Sequence, residues 1–123
     1  MSELAPERRY GVDDLGGGDR LRLIVDSVTG AMPTDAIVIF GSYARGEATD
    51  DSDVDILVLS PLNGLELRNR SVDAGLEMWD LDKRTDFLAY NTDRFNQMLS
   101  DGWSFARNVS KDGVVIYGQS QQA

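Results

Sequence analysis

Two apolar runs, Ala36-Ile37-Val38-Ile39-Phe40 and Val54-Asp55-Ile56-Leu57-Val58-Leu59, set the first limit on how this chain can fold. Both are short and rich in β-branched residues. Turn-forming residues bound them, Gly41 after the first and Ser60-Pro61 after the second. Such runs fit the strands of a covered sheet better than helices. Glu47, Asp50, Asp51, Asp53 and Asp55 crowd the approach to the second run. Any fold must bury that strand while holding negative charge at its start.

The remaining elements follow from spacing. Residues 1–18 read as a tail, because Pro6, Gly11 and Gly16-Gly17-Gly18 break any regular pattern. Asp19 can cap a helix in which Leu21, Ile24, Val25 and Val28 share a face, and Gly30 and Pro33 stop it. A helix over roughly 64–79 carries Leu65, Val72, Leu76 and Trp79 near one face. Thr85 to Tyr90 reads as a third strand. Thr92 caps a helix bearing Phe95, Met98 and Leu99, which Gly102 closes. A short helix at about 104–111 and a strand from Val114 to Tyr117 complete the pattern, and residues 119–123 form a polar tail. Alternating strands and helices predict one α/β (or α+β) domain over residues 19–118, a small mixed sheet flanked by helices.

Composition narrows the chemistry. The chain has no Cys and no His. That excludes disulfides, thiol nucleophiles, zinc sites built on Cys or His, and His-based triads. Any metal must take oxygen ligands, which favours Mg²⁺, Mn²⁺ or Ca²⁺. The net charge is −9, from 12 basic and 21 acidic residues. No basic stripe runs along the chain, so a protein or small-molecule substrate fits better than nucleic acid. Arg68, Arg70, Lys83 and Arg84 could still form a local basic patch. No apolar run approaches a membrane span, and the N-terminal stretch lacks the apolar core of a secretory signal. The expected location is the cytoplasm.

The chemistry concentrates around two stretches. Alternate residues of a strand point to one face, so Asp53 and Asp55 project together with Cα atoms about 6.5–7 Å apart. Leu57 and Leu59 continue their face as core, while Val54, Ile56 and Val58 face the other way. Two ionised carboxylates that close repel unless a cation intervenes, and divalent cations held this way polarise phosphates. Gly41-Ser42 follows a strand and opens a short helix. Glycine lets backbone approach a ligand, free N–H groups there bind phosphate, and Ser42 adds a hydroxyl. Together these features point to a site for a metal and a nucleoside triphosphate.

Gly41-Ser42, ten residues, then Asp53-Val54-Asp55 resembles the signature of the nucleotidyltransferase superfamily with the DNA polymerase β-type fold. The stretch "GSYARGEATDDSDVDILV" is most similar to the small stand-alone members, the minimal nucleotidyltransferases (MNT), many of them antitoxins paired with HEPN-domain toxins. The detailed likeness covers roughly residues 36–59, and "SFARNVSKDGVVIYG" is a looser match to the close of those short proteins. The resemblance implies transfer of AMP from ATP, dependent on Mg²⁺ or Mn²⁺, onto a tyrosine of a HEPN toxin. Gly41 and Ser42 would hold the triphosphate, and Asp53 and Asp55 the metal. The family places a third carboxylate on a later strand. Asp86 is the candidate, inside the apolar pattern of "RTDFLAY", with Asp80 and Asp82 as alternatives. In the family this acid can also act as general base.

Each residue also has a plainer reading. Asp53 and Asp55 could be turn acids, Gly41 a strand end and Ser42 a helix cap; the whole constellation is rarer than its parts. Arg45 could touch phosphates or be a surface arginine, and Asp86 could pair with Arg84 or Arg107. Trp79, Trp103 and Phe105 read as core or partner surface. Two other functions compete with protein adenylylation: a binding antitoxin that works without catalysis, and transfer to a small molecule. A homo-oligomer or a hetero-oligomer with a toxin is open.

Overall fold

The computed structural model describes residues 9–15, 19–81 and 83–118, with Asp80 as backbone only. Helix α1 (Asp19–Ala31) leads into β1 (Ala36–Phe40), the one-turn helix α2 (Gly41–Ala44) and β2 (Val54–Ser60). Helix α3 (Gly64–Glu77) then crosses to β3 (Thr85–Asn91), and α4 (Thr92–Ser100), α5 (Ser104–Asp112) and β4 (Val114–Gly118) complete the chain. The strands form one mixed sheet in the order β3-β2-β1-β4. β2 runs parallel to β3, and β1 is antiparallel to both β2 and β4.

Strand alternation divides the core in two. Ile37, Ile39, Val54, Ile56 and Val58 point to one face, where Ile24 and Val28 of α1 and Ala74 of α3 cover them. Val38, Leu57 and Leu59 point to the other, under Phe95 and Met98 of α4 and Ala106 and Val109 of α5. The split of β2 into two opposed sets is the one its sequence predicts. Ser60 ends that strand fully buried. Its hydroxyl donates to the Pro33 carbonyl at 2.8 Å and accepts from the Leu62 N–H at 3.1 Å, so both needs are met.

Four expectations change in the structure. Leu65, Val72, Leu76 and Trp79 do share a face of the α3 segment, but it is the exposed face. The sheet side is taken by Leu67, Ala74 and Met78. Trp79, read as core or partner surface, is 84% exposed, which removes the core reading and leaves the surface one. The cap of α4 is Asn91, whose Oδ1 accepts from the Arg94 N–H at 3.0 Å. Thr92 instead donates its hydroxyl to Asp35. Finally, within the span read as a tail, Tyr10 bridges to Ala48 and Leu15 is buried in the core. Residues 1–8, 16–18 and 119–123 lie outside the described residues.

Candidate active site

The candidate residues meet where β1, β2 and β3 carry one end of the sheet. Antiparallel pairing sets Phe40, the last residue of β1, opposite Asp55. Gly41 turns the chain out of the strand with φ +72° and opens α2. A Cβ at Gly41 would fall onto the carboxylate of Asp55. Glycine is therefore required twice, for the left-handed backbone and for the room Asp55 occupies. Phe40 is anchored from below, its ring edge-on to Phe105 of α5 at 5.6 Å.

Asp55 also has a neighbour on its other side. In the parallel β2–β3 register it pairs with Asp86. Paired residues of adjacent strands point to the same face, and the strands lie about 4.7–4.9 Å apart. Asp86 thus joins Asp55 on the face that continues into Leu57, Leu59, Leu88 and Tyr90. Burial pushes the Asp55 carboxyl above the ordinary carboxylate range, the charges of Asp86 and Asp53 push it further, and Arg45 pulls it back. Asp86 itself is exposed, on the edge strand. The apolar pattern around it suggested burial, but among the described residues β3 has only one strand neighbour. Asp82 and the side chain of Asp80 lie outside the described residues.

Asp53 directly precedes β2, near enough for its charge to act on Asp55. Its Oδ1 is buried and accepts no hydrogen bond. The Arg84 Nε lies 3.1 Å from that oxygen, an ion pair whose N–H is not aligned to donate. The backbone fixes this pairing, because the Val54 N–H donates to the Arg84 carbonyl at 2.9 Å. Arg84, read from the sequence as part of a basic patch or a partner of Asp86, pairs with Asp53 instead. Its signal was positional: it directly precedes the strand that pairs with β2.

The other basic residues do not form one patch. Arg70 donates to the Ala31 carbonyl, while Lys83 stands 5.9 Å from the ring centres of Tyr10 and Tyr43. On the α3 side of Asp53, a cavity of about 520 Å³ is lined by Trp79, Lys83, Arg84 and Thr85 among others. Ser42 is half-buried in α2. Arg45, one residue beyond α2, is exposed and pairs with Glu47 at 3.0 Å.

Among the described residues no three carboxylates close into a ready-made metal cluster. Asp53, Asp55 and Asp86 stand side by side instead. They still suit a hard divalent cation: the donors are all oxygens, one buried oxygen lacks a hydrogen bond, and Asp55 is disfavoured as a bare anion. Among the described residues no helix is long and apolar enough to cross a membrane.

The sequence profile of the family described as "Nucleotidyltransferase domain" matches residues 21–116. A protein of Methanocaldococcus jannaschii named "Putative protein adenylyltransferase MJ0604" is 32% identical over 81 residues, spanning 66% of this chain and 76% of its own. Among solved structures, a chain of a toxin–antitoxin complex with AMP-PNP superposes with a TM-score of 0.57 at 22% identity, covering 82% of this chain and 75% of that one. A complex of tri-AMPylated Shewanella oneidensis HEPN toxin with MNT antitoxin gives a TM-score of 0.51 at 20% identity, covering 83% and 72%. A nucleotidyltransferase fold thus sets Gly41-Ser42 directly after β1 and Asp53-Val54-Asp55 at the start of the adjoining β2, and the chain belongs to the nucleotidyltransferase domain family of enzymes.

Proposed function

We propose that this nucleotidyltransferase moves AMP from ATP onto a hydroxyl of a partner protein, a tyrosine of a HEPN-domain toxin, and so acts as an antitoxin in the cytoplasm. One observation carries the site assignment. Asp55 stands between Gly41 and Asp86, and Asp53 is near enough to act on its charge, so the α2 corner and three carboxylates adjoin. The choice of acceptor is supported by the relative named as a protein adenylyltransferase and by the fold shared with a chain of a HEPN–MNT complex.

Asp53, Asp55 and Asp86 would hold Mg²⁺ or Mn²⁺. A cation there neutralises their mutual repulsion and draws charge from the phosphates. Gly41 keeps the α2 corner free of a side chain. Ser42 donates its hydroxyl to a phosphate oxygen, and Arg45 supplies a positive charge. The acceptor oxygen attacks the α-phosphorus in line as the bond to the β-phosphate breaks, and pyrophosphate leaves. Asp86, exposed on the edge strand, takes the proton of the acceptor hydroxyl. Lys83 and Arg84 line the cavity beside Asp53 and give the acceptor segment a cationic wall.

The test combines α-labelled ATP, Mg²⁺ and a HEPN partner, with Asp53→Asn as control. Label on a tyrosine of the partner, seen only with the wild-type chain, is expected. Label on a small molecule would redirect the acceptor. Full neutralisation of the toxin by an Asp53→Asn, Asp55→Asn double variant, without label, would establish the binding antitoxin instead.

A further inference from the structure

The exposed face of α3 has a regularity that domain packing does not explain. Leu65, Asn69, Val72 and Leu76 of α3, and Trp79 in the 3-10 turn (Met78–Asp80) that directly follows it, succeed each other at intervals of four, three, four and three residues. That is the repeat of a two-helix seam. The four apolar members are 70%, 57%, 65% and 84% exposed in chain order, and Asn69 is exposed among them. Leu67 and Ala74 of α3, and Met78 just beyond it, occupy the opposite side and pack into the core. The helix is thus apolar on two opposed faces, and only one is covered within the domain. A stripe of large apolar residues in this spacing marks an interaction surface.

We propose that a second copy of this chain covers the stripe, in a parallel two-helix pairing of α3 about a two-fold axis. The flanking charges select both partner and direction. In a parallel pair, the residue just before a seam position on one helix meets the residue five places later on the other. Here Arg68 meets Asp73 of the second copy, twice by symmetry, and both side chains are exposed. An antiparallel pair would instead bring Glu66 and Asp73 of the two copies together, acid against acid. Asn69 would face its own counterpart, a polar seam residue that fixes register at some loss of stability. Gly75, on the Arg68 side of the seam, adds no bulk there. The seam lies across the helix from Leu67 and Ala74, on its outward side. Trp79 also lines the cavity beside Asp53, so the second copy would stand at its mouth.

The experiment is sedimentation of the full chain over about 1–200 μM, the range suited to a short seam. A concentration-dependent dimer is expected. Leu76→Glu should weaken it by about 100-fold or more. Arg68→Asp should weaken it about five-fold, and adding Asp73→Arg should restore it, since the pairs are exposed and modest. None of these side chains packs into the domain, so circular dichroism and melting should be unchanged; if Leu76→Glu fails to fold, the charge swap decides alone. A monomer at every concentration overturns the proposal. So does a double variant as weak as its two changes combined. Association through this stripe with a HEPN chain only, and never with itself, would assign the surface to that partner and also overturn it.

Discussion

Gly41→Ala separates two costs that the site imposes on one residue. The first is conformational. A residue with a Cβ at φ +72° costs about 1–2 kcal/mol over glycine. The second is steric. The new methyl group would occupy the space of the Asp55 carboxylate, which must turn away from Gly41 and toward Asp86, and overpacking of this kind costs about 1–3 kcal/mol. Together they come to about 2–5 kcal/mol, or roughly 8–20 °C of melting temperature for a domain of this size. Gly46→Ala is the control. Gly46 has φ +70°, yet nothing lies within 4 Å of a Cβ built there. It should lose only the conformational part, roughly 4–8 °C, and any gain from a stiffer unfolded chain is common to both variants. Thermal unfolding monitored by circular dichroism measures the difference. Adding Asp55→Ala to Gly41→Ala should recover most of the steric part. Equal losses for Gly41→Ala and Gly46→Ala would refute the claim that Asp55 packs against Gly41.

Asp53→Asn should reduce nucleotidyl transfer by about 10²–10³-fold or more while cooperative unfolding persists, checked by labelled-ATP assay and thermal melts in parallel. Asp55→Asn should melt above the wild type at neutral pH without divalent cations. The folded carboxyl is shifted up, so the native state holds more protons than the unfolded one once pH exceeds about 4, and wild-type stability falls as pH rises through the raised value. The advantage should vanish below about pH 4, and a constant gap across a pH series would contradict this. Asn91→Ala should cost about 1–2 kcal/mol by denaturant titration, since it removes the cap of α4 and the donor to the Pro61 and Leu62 carbonyls, whereas a similar loss at Thr92 would have to come through its bonds to Asp35 and the Ser60 carbonyl.

The parts of this fold that could be read in advance are those decided locally. The β-branched run Ala36–Phe40 is a strand with the expected bounds, and Asp55 falls on the face of Leu57 and Leu59 because strand alternation leaves no other choice. The parts that could not be read depend on distant partners. Helix α3 is apolar on two faces, and periodicity finds both without saying which one the sheet will cover. Asp86 sits in an apolar pattern like that of β2, but the pattern does not reveal that β3 is an edge. Arg84 becomes the neighbour of Asp53 only once β2 and β3 pair in parallel. Leu15 is buried although glycines surround it, because the segment is fastened at Tyr10 to Ala48 and Asp50. Asn91 and Thr92 are both able caps in adjacent positions, and Asp35 decides between them by accepting from the threonine hydroxyl.

The same distant partners explain why the carboxylates stay together despite their repulsion. Nothing at the site itself favours Asp55 beside Asp86: burial and both neighbouring aspartates act against its charge, and Arg45 only partly offsets them. The opposing force comes from farther along β2. Val54, Ile56 and Val58 are buried on one face, and Leu57 and Leu59 on the other. Sliding β2 by one residue would exchange these two sets and drive them into the wrong layers. Each buried aliphatic side chain contributes about 1.5–3 kcal/mol, so five of them outweigh a carboxylate repulsion that is partly screened by solvent. The register is therefore fixed by the core, and the acidic end of the sheet is carried with it. A strand apolar on both faces along most of its length is what allows charge to be concentrated at its start, ready for a cation that removes the conflict.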